Sequence, residues 1–186
     1  MAVAARRDAR MSVAEYQVWV ESRPDAERWE LLDGEPVPMS PPQERHQTIV
    51  YNLLRRVGDL ADARGCRTLP GLAILSEAMD DFAPIPDVVV RCGPPLPSGY
   101  ARDPVLIAEV LSPSTMANDR GRKVDFYLTV PSLRTFLIVY QNEVRIEVWQ
   151  RDRDGEMQVF DPADRIALPE LDGDLAVSDI YARVVF

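Results

Sequence analysis

Residues 105–111 read Val-Leu-Ile-Ala-Glu-Val-Leu, apolar at every position but one. A run of that kind predicts a strand covered on both faces at the centre of a sheet. Residues 136–140 are wholly apolar, and residues 144–149 alternate strictly. The Gln141-Asn142 break between them predicts a hairpin whose second strand lies nearer the sheet edge. Residues 86–91 (Pro-Asp-Val-Val-Val-Arg) predict a further buried strand that opens on an aspartate, and residues 69–76 another with Gly71 inside it. Upstream, Ser12-Val13-Ala14-Glu15 fits a capping box for a short helix that runs to about Ser22 and ends before Pro24. Residues 29–37 predict two short strands around the turn Asp33-Gly34. Ser40-Pro41-Pro42-Gln43 reads as a second helix start. From there Ile49, Val50, Leu53, Leu54, Val57, Leu60 and Ala61 recur at helical spacing to about Arg64, where Gly65 stops the helix. Residues 112–115 (Ser-Pro-Ser-Thr) form a turn that starts an amphipathic helix, and residues 93–99, with three prolines, a loop. Residues 158–160 and 165–168 are weaker strand candidates, and residues 178–182 a closing helical turn. The whole predicts a mixed α/β (α+β) domain in which strands dominate, with one long helix before the sheet and one inserted in it. It contains neither G-x-G-x-x-G nor a P-loop string.

At 186 residues, 46% apolar and 27% charged, the chain is expected to form a single domain over residues 11–186, preceded by a loose arm at residues 1–10. Its net charge of −9 sits awkwardly with holding nucleic acid, because phosphate contacts call for clustered Lys and Arg. The acid is uneven, however. Residues 152–174 hold eight acidic side chains against Arg153 and Arg165, so the middle of the chain is closer to neutral. Cys66 and Cys92 lack C-x-x-C spacing and are expected to be reduced thiols of a cytoplasmic protein. No apolar stretch follows the arginines near the N-terminus as in a signal peptide, and no run approaches a membrane span.

Glu109 stands out because a carboxylate inside a core strand is costly unless paired, protonated or bound to a metal. Asp87 opens the other buried strand 22 positions upstream. If the two strands are neighbours, two hard oxygen donors converge at one end of a sheet, a set that suits Mg2+ or Mn2+. Downstream, Asp119 and Lys123 fall on one helix face. Lys123 is either a surface partner of Asp119 or an ammonium placed to orient water and offset charge beside the carboxylates. Ser112 and Ser114 have no base spaced to activate them, so they read as turn and cap residues. Arg45, Arg120 and Arg122 are candidates to line the approach to this site.

The series Pro-Asp, about twenty residues, then a buried Glu resembles the motif of the PD-(D/E)XK nuclease superfamily. Taken in order, WELLDGE, MSPPQERH, IPDVVV, LIAEVLSPST and DRGRKVDFYL resemble more closely the Uma-two family of putative restriction endonucleases, over roughly residues 11–150. The resemblance implies a restriction-endonuclease-like fold: a central mixed sheet flanked by helices, here with an additional β-hairpin region. It also implies a divalent metal, Mg2+ or Mn2+, held by Asp87, Glu109 and the main-chain carbonyl of Val110, with DNA as the substrate of phosphodiester hydrolysis. The superfamily lysine stands two residues after the acid, where this chain has Leu111, and the resemblance moves that role to Lys123. It adds Glu30 and His46 to the site, although by residue pattern alone Glu30 is a surface acid of a hairpin and His46 an ordinary, partly exposed histidine. A homodimer is implied as well, with the hairpin over residues 136–149 as one candidate surface. Two other readings stay open: a non-catalytic interaction module on the same fold, and hydrolysis of a smaller phosphate ester.

Overall fold

The computed structural model describes residues 10–111, 116–153 and 155–186, with side chains in the third helix described from residue 121 onward. The expected arm at residues 1–10, except Arg10, and the turn at residues 112–115 lie outside the described residues, as do the side chains of Asp119 and Arg120. The chain opens with α1 (Val13–Glu21), where Ser12 Oγ accepts from the Glu15 amide at 3.3 Å and Glu15 Oε2 accepts from the Ser12 amide at 2.8 Å. A hairpin of β1 (Trp29–Leu32) and β2 (Glu35–Pro38) follows, its turn made by Asp33 at φ 50° and Gly34 at φ 73°. Two consecutive positive φ values match the twist of hairpin strands. Next come α2 (Glu44–Ala63), β3 (Arg67–Leu69), β4 (Ala73–Ile74), β5 (Val88–Arg91), β6 (Tyr100–Ala101) and β7 (Pro104–Leu111). The chain continues through α3 (Met116–Leu128), β8 (Thr135–Tyr140), β9 (Ile146–Gln150) and β10 (Met157–Phe160), and closes with β11 (Arg165–Leu168), β12 (Gly173–Ala176) and α4 (Val177–Ile180).

Six strands form the central sheet in the order β10-β9-β8-β7-β5-β3. Only β7 and β8 run parallel, with α3 as the crossover between them; the other neighbours are antiparallel. The sheet is therefore mixed and flanked by helices, as expected. Side chains alternate across it. Val88, Val90, Leu106, Ala108, Val110, Leu137 and Val139 meet Ile49, Leu53 and Val57 of α2, while Val89, Ile107, Leu111, Phe136 and Ile138 meet Val124, Phe126 and Tyr127 of α3. Both faces of β7 and β8 are thus covered, which is why those two segments read as unbroken apolar runs. The hairpin β11–β12 and α4 extend the α2-side core through Ile166, Leu168, Leu175 and Ile180. No helix among the described residues is long and apolar enough to cross a membrane.

Four expectations need correction. The strand expected over residues 69–76 is two strands in different sheets: β3 pairs with β5, and β4 pairs in parallel with β6. Gly71 sits between them at φ 62°, a turn that a side chain resists. The second helix starts at Glu44 rather than at Ser40, and its N-cap, Gln43, makes no side-chain capping bond. The hairpin of β8 and β9 is interior, since all six residues of β8 are buried and β10 covers the far edge of β9, so it offers no free strand edge to a second copy. Finally, Cys66 and Cys92 form a disulfide. Cys66 precedes β3 and Cys92 follows β5, and the pairing Arg67↔Arg91 sets the two cysteines directly across the ladder. Nothing in a separation of 26 residues announces that pairing, because it depends on which strands become neighbours. It also removes the reduced-thiol ground for a cytoplasmic setting.

Alkylating the denatured protein without reductant should leave both cysteines unmodified, as read by intact mass. Cross-linking a loop of this length restricts the unfolded chain, so Cys66→Ser should lower stability by about 3 kcal/mol in denaturant titration. Two alkylated thiols in unreduced protein would contradict the pairing.

Candidate active site

The site grows out of the register between β5 and β7. Val88 pairs with Ala108, so Asp87, one step earlier, falls opposite Glu109, one step later. Residues directly opposite in an antiparallel pair share a face, and these two emerge toward α3 at the end of the sheet where β5 begins. Asp87 is held there by the main chain: its Oδ2 accepts from the Val110 amide at 2.8 Å. His46, in the first turn of α2, brings Nε2 to 3.3 Å from the same oxygen. A residue on the helix that covers one face thus braces an acid that serves the other.

On the other side of Glu109, α3 supplies two groups one turn apart, which lie side by side on a helix. The Tyr127 hydroxyl donates to Glu109 Oε1 at 2.7 Å, and Lys123 Nζ stands 3.5 Å from that oxygen. Lys123 Nζ also lies 3.0 Å from Glu30 Oε2, which in turn accepts from the Ile85 amide at 3.3 Å. Glu30, Glu109 and Lys123 are all buried. Burial pushes the Glu109 carboxyl up to about 8: the Lys123 ammonium and the Tyr127 hydrogen bond pull it down, while the negative charges of Asp87 and Glu30 push it further up. The Tyr127 hydroxyl is held well above its ordinary range by its own burial and by Glu109. Tyr127 therefore stays protonated and acts as a donor.

All five candidate residues come together. Glu30 is a buried partner of Lys123, not a surface acid, because the β1–β2 hairpin folds onto the sheet through the bridge Leu31↔Ala83. Lys123 points inward rather than along a solvated helix face. Leu111, two residues beyond Glu109 and so on its side of the strand, is buried in the α3-side core. Tyr127 was missed, and its signal was available as the residue four after Lys123. Of the expected basic residues, Arg122 pairs with Asp33 in the β1–β2 turn and Arg45 lies 5.6 Å over the Phe186 ring. The acidic segment lies mostly in β10–β12, at the far edge of the sheet and on the α2 side.

Among the described residues no three His, Cys, Asp or Glu side chains form a ready cage for a metal ion. The donor set nevertheless fits a hard divalent cation. Two carboxylates converge from neighbouring strands, and Mg2+ takes few protein ligands while keeping several waters.

A mixed sheet with an acid pair at the start of one strand and inside the next, and with a buried lysine beside it, defines a restriction-endonuclease-like protein. The chain belongs to the Uma2 family, described as "Putative restriction endonuclease", whose model matches residues 13–178. Two proteins of Synechocystis sp. (strain PCC 6803) are similar to it, both named only as uncharacterized. One, slr1290, is 29% identical over 181 residues, covering 95% of this chain and 94% of its own length. The other, sll1609, is 29% identical over 152 residues, covering 78% of this chain and 84% of its own. Among solved structures, a putative nuclease of DUF820 from Anabaena variabilis superposes with a TM-score of 0.77 at 16% identity, covering 94% of this chain and 99% of the other. At that identity the likeness establishes the fold.

The raised Glu109 carboxyl has a thermodynamic consequence. From the ordinary carboxyl value of 4.5 up to about 8, the folded chain keeps a proton that the unfolded chain has released. Stability contributed by this group therefore falls as pH rises through that window. In metal-free buffer the melting temperature of the native protein should decline across it, and Glu109→Gln, which cannot ionise, should decline less. Equal slopes would show that Glu109 is ionised throughout.

Proposed function

We propose that this protein is a divalent-metal-dependent endonuclease that hydrolyses phosphodiester bonds of DNA. The observation that carries the reading is the gathering of Asp87, Glu109 and Lys123 at one end of the central sheet, in a chain of this family. Asp87, Glu109 and the Val110 carbonyl are the residues that would hold Mg2+ or Mn2+. In an extended strand the amide and carbonyl of one residue point to the same side, and the Val110 amide already points at Asp87. Bound there, the ion supplies Lewis-acid polarisation of a phosphoryl oxygen and a lowered pKa for attacking water.

The chain's own groups do the rest. Glu30 and Glu109 hold Lys123 between them, fixing an ammonium where negative charge builds on the phosphoryl oxygens during in-line attack. A fixed charge in a site shielded from water stabilises such a transition state more than a mobile one in solvent. Tyr127 fixes the position of Glu109 by donating to it, and His46 braces Asp87 with its Nε2 3.3 Å from Oδ2. The net charge of −9 favours a second substrate class, a smaller phosphate ester that needs no basic groove.

Plasmid and single-stranded DNA incubated with Mg2+ or Mn2+ should be cut by the native protein and not by Glu109→Ala. Activity on a small phosphodiester with none on DNA would favour the second class, and no Glu109-dependent hydrolysis of either would end the catalytic reading.

Lys123→Ala should slow cleavage at least about a hundredfold, the size of effect seen when one fixed transition-state contact is lost. It should also cost about 3 kcal/mol of stability, because buried Glu30 loses its counter-ion. Adding Leu111→Lys restores an ammonium on the Glu109 side of β7 and should recover part of the rate. Cleavage by Lys123→Ala at the native rate would remove Lys123 from the chemistry.

A further inference from the structure

Glu147 is fully buried in β9, and no step of the proposed hydrolysis uses it. The register places it with the site. Glu109 pairs with Ile138 on β8, and Ile138 pairs with Glu147 on β9. The three lie in one row and on one face, so Glu147 stands two strands, roughly 10 Å, from Glu109. Its surroundings repeat those of Glu109. Glu147 Oε1 accepts from the Tyr140 hydroxyl and from Arg145 Nη2, both at 2.9 Å, as Glu109 Oε1 meets Tyr127 and Lys123. The difference is exposure. Lys123 is buried, whereas the Arg145 side chain is 36% exposed. Arg145 lies two residues before Glu147 and so on the same face, at the end of the sheet where β7 finishes and β5 begins.

We propose that Arg145 binds a phosphate of the nucleic-acid strand beyond the scissile bond, with Glu147 as the residue that positions it. This rests on DNA being the substrate. A buried ion pair adds little net stability, because the cost of removing both charges from water offsets their attraction. What this pair supplies is orientation. Glu147 holds the guanidinium from one side, and the Tyr140 ring packs against it at 5.2 Å from the ring centroid. A guanidinium carries five N–H donors, and Glu147 takes one of them. Arg145 Nε has no hydrogen-bond partner among the described residues, a state that calls for a water or a ligand to complete it.

The spacing suits a neighbouring phosphate. A DNA strand advances about 3.4 Å of helix axis per phosphate, so two strand spacings correspond to about three nucleotides. Arg122 and Arg45, expected to line the approach, are engaged by Asp33 and by the Phe186 ring. Glu143, in the same turn as Arg145, is exposed, where solvent ions screen it. A guanidinium fixed by a buried carboxylate keeps its fork aimed without paying for that order when the phosphate arrives. In a chain of net charge −9, a contact of this kind holds a strand without a basic groove.

The test separates binding from folding and from net charge. Arg145→Ala alone strands Glu147, so it is combined with Glu147→Gln, which keeps an oxygen for the Tyr140 hydroxyl. The double variant has the net charge of the native protein and should melt near it, because the pair is removed as a pair. With Mg2+ it should raise KM for a DNA duplex roughly tenfold and leave kcat within about twofold. The plot of log Kd for the same duplex against log salt, from fluorescence anisotropy in metal-free buffer, should be shallower by about 0.9, the share of one phosphate contact. Bis(4-nitrophenyl) phosphate has no second phosphate, so its kcat/KM should match the native value. Arg145→Lys, which keeps a cation beside Glu147 but loses the fork, should shift KM for DNA in the same direction. A native salt slope in the double variant, or an equal loss on the single-phosphate ester, would overturn the inference and leave the DNA reading standing. Native protein that neither binds nor cuts DNA would overturn both.

Discussion

Lys123 sits in the interior between two carboxylates, and much of the architecture is a means of holding it there. Its Nζ is 3.0 Å from Glu30 and 3.5 Å from Glu109. Those three residues come from α3, the β1–β2 hairpin and the central strand β7, so one ammonium ties three separate pieces of chain. Buried charges are tolerated only when their partners are placed well, and every neighbour here is itself fixed. Glu30 takes the Ile85 amide, Glu109 takes the Tyr127 hydroxyl, and Asp87 takes the Val110 amide. None of these groups could be left alone in the core.

That constraint makes the acid end of the sheet the electrostatically costly one. Like charges crowd there, and burial pushes the Glu109 carboxyl up to about 8. Stability comes from elsewhere: from the two apolar layers on either face of β7 and β8, and from the disulfide at the other end of β5. Asp87 precedes β5 and Cys92 follows it, so a single four-residue strand carries a costly site at one end and a covalent tie at the other. Such a division, with a rigid scaffold supporting an electrostatically unfavourable cluster, is what a preorganised site requires.

Much of this was legible in the chain. Period and punctuation marked α1 with its capping box, the Asp33-Gly34 hairpin, α2 and its stop at Gly65, and the apolar strands β5, β7 and β8, because each depends on neighbours within a few residues. Glu109 was conspicuous for the same reason, as the single charge in an apolar run. The family was legible from the order of its motifs, which no single motif carried. Lys123 and Glu30 were harder: on pattern alone one stood equally well on a solvated helix face or in the site, and the other belonged to a surface hairpin.

Tertiary structure decided what depends on which segments become neighbours. It turned Glu30 inward by folding the hairpin onto the sheet, and it added Tyr127 to Glu109 by fixing how α3 rotates against β7. It broke the expected strand at Gly71 into members of two sheets and joined Cys66 to Cys92, 26 residues apart in sequence, across the β3–β5 ladder. It also buried the β8–β9 hairpin and left β10 as the open edge. Sequence periodicity reports local backbone state and which face is apolar. Contacts between distant segments are set by the packing of the whole core, to which each residue contributes only part.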